Sequence, residues 1–349
     1  MKICHLIFSF TTGGAETMLV DIVNEQVKVA SVCLIIINDH INEMLLRKID
    51  SQVEIIKINR RPQSRNPMPV LKINWFLLDM KPDVIHCHNT KTIRLIPFFF
   101  HKKMVVTIHD MATSHPILEK YKKIFPISHA VKKDIFKEQR LDTSVIYNGI
   151  DTSIIRKKIS NNKNNRFNIV QVARLNTQKK GQHLLIEAIR KIVCENKSID
   201  LHVDFIGEGK SFSHLNKLVQ DYHLEKYVTF LGIKDRDYIY NHLHEYDLLV
   251  HPSLYEGFGL TVAEAMVAKV PVLVSDNDGP MEVIADGQFG YHFKAGNADD
   301  LADKIRQILS NHYGLESHRK MIEAAYQYAV ANFDVKNTAQ NYIKAYREI

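Results

Sequence analysis

Cysteine is scarce and unpaired in this chain. Cys4, Cys33, Cys87 and Cys194 form no C-x-x-C pair, and three of them sit inside apolar runs. That excludes a zinc ribbon and a disulfide framework, and it predicts buried free thiols in a reducing compartment. Long apolar runs are missing too: Val32–Ile37 ("VCLIII") is typical, far short of the ~20 residues of a membrane-spanning helix. The opening "MKICHLIFSF" runs into Thr11, Thr12 and a glycine pair without a small-residue cleavage site, unlike a signal peptide. A soluble protein, or one held at most on a membrane surface, is expected. There is no G-x-G-x-x-G fingerprint for a dinucleotide, no well-placed D-x-D metal signature and no fixed-period repeat.

What is present is a chain of 349 residues, 45% hydrophobic, ample for a large core and long enough for two domains. The net charge of +7 is uneven. Residues 1–155 hold 21 Lys/Arg against 15 Asp/Glu, whereas residues 156–349 hold 25 against 24. One half is therefore expected to meet something anionic, with nucleic acid, an acidic membrane face and phosphorylated acceptors as candidates.

Short β-branched runs alternate with helical stretches. "KICHLIFSF", "SVCLIIIND", "DVIHCHN", "MVVTIHD" and "KIFPIS" read as strands, and "GGAETMLVDIVNEQVKVA" as a helix. Residues 151–167, rich in Asn and Lys, read as a linker, after which the pattern resets. "NIVQVAR", "DLHVDFIGEG", "YVTFLG", "DLLVHPS" and "VPVLVSD" are the later strands, with "GQHLLIEAIRKIVCE" an amphipathic helix. Two α/β units in tandem follow, each with a doubly wound parallel sheet and each ending its strands at a ligand edge. The expected domains are 1–155, 156–330 and a C-terminal helix, 331–349, crossing back to the first domain.

Several short motifs can carry chemistry. Gly13-Gly14 open a helix after the first strand, where backbone N–H groups face anions, although such a pair is also an ordinary turn. Arg174 ends a strand and Lys179-Lys180 precede a helix, so they could clamp a diphosphate. Gly207 to Gly209 ("GEG") close a strand tightly. His86 and His88 alternate on one strand and point the same way, but no third ligand is fixed by spacing, and no metal is expected. His109-Asp110 closes the next strand and offers an imidazole that titrates near neutral pH. In "YEGFGLTVAEA" (residues 255–265), Glu256 and Glu264 flank a Gly-Phe-Gly turn that opens a helix. Two carboxylates beside an anion site suit a ligand with both phosphates and hydroxyls.

"PSLYEGFGLTVAEAM" resembles the E-x7-E motif of retaining GT-B glycosyltransferases of family 4. "GGAE", "DVIHCHN", "VVTIHD", "PISHAVKKDI", "VIYNGID", "VARLNTQKKG", "DFIGEG" and "VTFLG" are similar to that family's series in order and spacing. The resemblance implies a GT-B fold, two Rossmann-like domains facing each other across a cleft. It implies that Glu256 binds the donor sugar, Gly257, Phe258 and Gly259 hold sugar and phosphate by their amides, and Glu264 binds the ribose. Arg174, Lys180 and Gly14 would meet the diphosphate, Gly207, Leu231 and Gly232 would border the nucleobase, and His109 would lie by the reacting sugar. A nucleotide-sugar, of UDP first, would be the co-substrate, with no cofactor or metal. The acceptor would be a glycan or a polyprenyl-diphosphate-linked glycan of surface polysaccharide biosynthesis. Localisation would be cytoplasmic, with the basic first half on the inner face of the plasma membrane; "IRLIPFFFHKK" (residues 93–103) reads equally as an interfacial patch for anionic headgroups and as a buried helix-to-strand connection with a charged rim.

Three departures stand out. The Arg–Lys step is one residue longer than the commonest spacing, leaving Lys179 as the fallback for Lys180. Lys269 replaces the glycine after the E-x7-E helix, and Asp278-Gly279-Pro280 replaces a glycine pair in a loop near the donor. The alternatives are a sugar-nucleotide-processing enzyme of the same fold, such as an epimerase, and a basic nucleic-acid-binding protein. The basic clusters "FFFHKK" and "YKK" lie in the first half beside apolar surface, which disfavours nucleic acid.

Overall fold

A computed structural model describes residues 1–11, 13–111, 116–136, 141, 143–159, 166–311 and 316–349. The chain divides into two units, Met1–Asp151 with Phe333–Ile349, and Thr152–Asn332. The first is built on strands β1 (Lys2–Ile7), β2 (Ser31–Asn38), β3 (Glu54–Arg60), β4 (Val84–Cys87), β5 (Met104–Ile108) and β6 (Lys123–Pro126). All neighbours are parallel, in the order β3-β2-β1-β4-β5-β6. The continuous apolar runs of β1, β2 and β5 suit strands covered on both faces, and these strands are buried along nearly their whole length. Cys4 faces Cys33 across the β1–β2 register. Cys4, Cys33 and Cys87 are buried free thiols, whereas Cys194 is exposed.

The second unit repeats the plan with β7 (Phe167–Val172), β8 (Leu201–Ile206), β9 (Val228–Gly232), β10 (Leu248–His251), β11 (Val272–Ser275) and β12 (Tyr291–Phe293). Its parallel order is β12-β11-β10-β7-β8-β9. In each unit the first strand therefore lies beside the fourth, and the chain reverses its direction of winding there. Crevices open at the carboxyl ends of such strand pairs. Edge strands β3 and β12 were not among the expected strands. β3 interrupts its isoleucines with Lys57 and Asn59, and β12 has only three residues, so neither forms a conspicuous apolar run.

The last helix, Val335–Tyr346, belongs to the first unit. Val335, Tyr342, Ile343, Ala345 and Tyr346 share a core with Met18, Leu19 and Ile22 of helix Gly14–Gln26. Ile150 and Val335 tie this return in place, through Ile150 N–H to Phe333 O at 2.8 Å and Val335 N–H to Ile150 O at 2.9 Å. In the expected linker, residues 160–165 lie outside the described residues. The preceding part is bonded to the second unit: Arg156 N–H donates to Tyr240 O and Lys158 N–H to Ala268 O. Lys158 Nζ is also 2.6 Å from Asp247 Oδ1, with both side chains less than a tenth exposed. Asp247 Oδ2 accepts from Asn168 N–H at 2.9 Å.

Two departures acquire a structural meaning. Lys269 has φ 59° and occupies the left-handed position of a Schellman ending, with Lys269 N–H on Met266 O and Val270 N–H on Ala265 O. A non-glycine residue there costs roughly 1–2 kcal/mol. The Lys269 side chain offsets part of that by pairing with Glu323 at 2.6 Å and lying over the Tyr326 ring. Asp278–Val283, expected as a loop, is a short helix instead. Extended Asn277 starts it, and Pro280 falls in the first turn, where a missing N–H costs no helical bond.

The buried Lys158–Asp247 pair generates a stability prediction. Removing one partner strands the other charge, so Lys158→Met should lower stability by about 3–5 kcal/mol. Urea denaturation checks this, and a loss under about 1 kcal/mol would show the pair to be dispensable.

Candidate active site

The second unit brings most of the expected residues to the carboxyl edge of its sheet, around the β7–β10 reversal. After β7 the chain places exposed Arg174, then a single helical turn, Thr177–Lys180, and then helix Gln182–Glu195. The break between the two helices is Gly181, at φ 62°, where a Cβ would lie 1.9 Å from Pro252 O. Only glycine fits this close approach. Leu254 N–H and Tyr255 N–H both donate to Lys179 O, and Gln171 Nε2 donates to Lys180 O at 2.8 Å. The basic turn after β7 is thus fastened to the segment after β10.

That fastening sets Lys180 against Glu256. Lys180 Nζ and Glu256 Oε2 form an ion pair, with each side chain about one-fifth exposed. Lys179 turns elsewhere, over the Tyr255 ring at 5.0 Å. His251, the last residue of β10, completes the group. Its Nε2 lies 3.2 Å from Glu256 Oε2 and 3.0 Å from Ser253 Oγ, and its Nδ1 lies 3.4 Å from Thr261 Oγ1. Burial by itself would push the Glu256 carboxyl up. The hydrogen bond from His251 and the charge of Lys180 outweigh it and hold the group at about 2. His251 was missed in the sequence, where "DLLVHPS" marked only a strand; its place at that strand's end was the available signal.

The turn after Glu256 is more enclosed than expected. Gly257, Phe258 and Gly259 are all buried, and the Phe258 side chain is part of the core. Gly259, at φ 106°, starts helix Leu260–Val267. Helix Asp278–Val283 closes on this turn, because a Cβ on Gly279 would lie 2.4 Å from Glu256 O. One helical stretch further, half-buried Glu264 has Tyr240 Oη 3.4 Å from its Oε1. Gly207 at φ 137° passes so close to β7 that a Cβ would meet Ala173 O at 2.1 Å. Its N–H donates to Gly232 O at 2.8 Å, which carries half-buried Leu231 to the same edge.

Gly14 and His109 are carried by the first unit. Gly14 is the exposed first residue of its helix. The Glu16 carboxylate lies over Gly13, where a Cβ would be 2.4 Å from Oε2. His109 follows β5, and its ring stacks at 5.8 Å on His88. His88 belongs to a buried polar cluster that the sequence did not show as a whole. His5 of β1 joins His86 and His88, with His5 Nδ1 3.1 Å from His88 Nε2 and His5 Nε2 2.7 Å from Gln26 Oε1. His86 is held by Tyr346 Oη at 2.5 Å and Thr107 Oγ1 at 2.7 Å.

By residue type and spacing, His5, His86 and His88 could gather a metal ion, their ligand atoms lying within 4.8 Å of one another. Both ring nitrogens of His5 and of His86 are instead engaged in hydrogen bonds, which favours a structural network. With the Gln26 oxygen accepting from His5 Nε2–H, His5 Nδ1 accepts from His88 Nε2–H. His88 Nδ1 is then an unprotonated acceptor, and among the described residues it has no hydrogen-bond partner. Burial holds His5 and His109 at about 4, and burial together with the neighbouring imidazoles lowers His86 and His88 well below the ordinary imidazole value.

A cation turn after the first strand and an anchored acid after the fourth stand at the reversal of strand order in a doubly wound α/β unit. The profile of the family Glycosyl transferases group 1 matches residues 152–328, and that of Glycosyltransferase Family 4 matches residues 12–154. The chain belongs to the glycosyl transferases group 1 family, and it has the GT-B fold. It is 27% identical to N-acetyl-alpha-D-glucosaminyl L-malate synthase of Bacillus anthracis over 241 residues, 66% of this chain and 61% of the relative. It is 33% identical to poly(ribitol-phosphate) alpha-N-acetylglucosaminyltransferase of Staphylococcus aureus over 146 residues, 40% of this chain and 29% of the relative. The match thus spans less than two thirds of either relative's length. The crystal structure of Anabaena HepE in complex with UDP and glucose shares the fold, with TM-score 0.84, 22% identity and full coverage of both chains.

The buried groups generate an acid-stability prediction. Between the ordinary histidine value of 6.5 and about 4, the unfolded chain binds protons that folded His5 and His109 refuse. Stability should therefore fall as pH drops through that window. Glu256 acts lower: its contribution is complete above 4.5 and is lost as pH falls toward 2. Melting temperature against pH, with imidazole proton NMR, checks the first window. Two rings should titrate near 4, and all 18 histidines titrating near 6.5 would contradict the burial.

Proposed function

We propose that the protein is a retaining, metal-independent hexosyltransferase that uses a UDP-sugar and needs no cofactor. Its proposed acceptor is a glycan or a polyprenyl-diphosphate-linked glycan of surface polysaccharide biosynthesis. The observation that carries this reading is the Lys180–Glu256 pair held by His251. A cation fit for a phosphate stands directly beside an ionised acceptor fit for sugar hydroxyls, which matches the two adjoining parts of a nucleotide-sugar. The UDP and glucose named with HepE, and the polymer acceptor named for the S. aureus relative, support the same classes of ligand.

In this reading Arg174 and Lys180 take the diphosphate, with Gly14 adding an N–H. Glu256 and the Gly257–Gly259 backbone take the sugar, Glu264 the ribose, and Gly207 and Leu231 border the base. The anomeric carbon–oxygen bond breaks toward the diphosphate, whose developing negative charge the cations stabilise. The acceptor oxygen bonds to the anomeric carbon on the same face, and its proton passes to the leaving phosphate oxygen. His109, neutral until about pH 4, assists the acceptor side without carrying a charge of its own. The positive first half keeps the enzyme on an anionic membrane face.

Glu256→Ala or Lys180→Ala should lower turnover by about 10²–10³-fold, with circular dichroism showing the fold retained although the broken ion pair lowers the melting temperature. Wild-type activity in either variant would sink the assignment. The substrate itself is tested by hydrolysis and thermal shift against UDP-, GDP- and ADP-sugars, where UDP-sugars should act and stabilise most. His109→Ala should cut turnover and leave donor affinity unchanged; a change in donor affinity alone would remove His109 from the acceptor side.

A further inference from the structure

The whole net charge of the chain lies in one stretch. Residues 60–103 hold nine Lys/Arg and two Asp/Glu, a net of +7, and the remaining residues are balanced at 37 of each sign. The same stretch contains helix Met68–Met80, which is apolar on both faces. Ile73 and Leu77 point into the protein and are fully buried. On the other side Met68, Leu71, Trp75 and Leu78 recur at helical spacing, and all four are more than half exposed. A helix with apolar side chains on two faces, covered on only one of them, leaves a face that water does not favour.

A second apolar feature is anchored to this helix. Asn74 Nδ2 donates to Leu95 O at 3.2 Å, and Lys103 Nζ donates to Pro82 O just beyond the helix at 2.9 Å. Between those anchors runs the 3-10 segment Phe98–Lys103. Phe100 is buried there, whereas Phe98 is 82% and Phe99 54% exposed. Exposed cations accompany these side chains, including Lys72, Lys81, Arg94 and Lys102. A shallow groove of about 450 Å³ lies between Trp75, Leu71 and Met68 on the helix and Ile58 beside it.

We infer that the outer face of helix Met68–Met80, together with Phe98 and Phe99, docks on an anionic lipid bilayer. This rests on the proposal above that the first half meets an anionic membrane face, and it assigns that role to particular side chains. The charge of +7 complements acidic headgroups, while Leu71, Trp75, Leu78, Phe98 and Phe99 suit the boundary between headgroups and acyl chains. A soluble polyanion would satisfy the lysines and arginines alone. It would leave five large apolar side chains in water, which is why a bilayer is the occupant argued for.

Trp75 is the chain's single tryptophan, so its fluorescence reports this face directly. Adding vesicles of phosphatidylcholine with phosphatidylglycerol to the full chain should shift the emission to the blue, and brominated lipid should quench it. Pure phosphatidylcholine vesicles, or soluble polyphosphate, should do neither. Leu71→Ser with Phe98→Ser should weaken co-sedimentation with the anionic vesicles about tenfold or more, and so should Lys102→Glu with Arg94→Glu. Both double variants should still hydrolyse the UDP-sugar at the wild-type rate. Loss of vesicle binding with intact hydrolysis supports the docking face. Absence of a blue shift with anionic vesicles overturns it, and so does an equal shift with polyphosphate alone, which would make the face a polyanion site. If no nucleotide-sugar is hydrolysed by the wild type while vesicles still bind, the proposed reaction fails and the docking face stands.

Discussion

The reversal of strand order beside β7 is the constraint on which the candidate site depends. Parallel strands wound outward in both directions from β7 and β10 leave their carboxyl ends uncovered at the junction. Everything placed there must come from the segments that follow those two strands. The segment after β7 is basic and the segment after β10 is acidic. Backbone hydrogen bonds from Leu254 and Tyr255 to Lys179 O bind the two together before any side chain contributes. The Lys180–Glu256 pair follows from that fastening.

Glycine makes the closeness feasible. Gly181 passes Pro252, Gly279 passes Glu256 and Gly207 passes Ala173 at separations that leave no room for a Cβ. These three contacts draw the ends of β7, β8, β10 and β11 into one edge. The first unit uses the same strand order for a different result. Its junction between β1 and β4 is filled by His5, His86 and His88, and the returning helix Val335–Tyr346 supplies Tyr342 and Tyr346 to that network. Buried polar groups are costly unless bonded, so such a cluster also fixes how the strands and the last helix fit.

Much of this was legible in the chain. The alternation of apolar runs and helices gave the parallel sheets, and the segments around Arg174, Glu256 and Glu264 marked one edge of the second sheet. Strands β3 and β12 were not visible, because a sheet edge is partly wet and needs no continuous apolar run. The helix Asp278–Val283 was hidden by its Gly-Pro pair, which ordinarily signals a turn. Its beginning depends on the tertiary contact between Gly279 and the Glu256 turn.

Local sequence determined the fold class, the turn glycines and the types of group available for chemistry, since periodicity and backbone freedom are properties of neighbouring residues. Only the tertiary structure decided which charges meet. Lys179 and Lys180 are alike in sequence, yet one lies over Tyr255 and the other pairs with Glu256. His251 was an unremarked strand residue until folding set its ring against Glu256. His5 lies far along the chain from His88 and reaches it only through the pairing of β1 with β4. Contacts between distant residues are fixed by register and strand order, which no stretch of neighbouring residues contains.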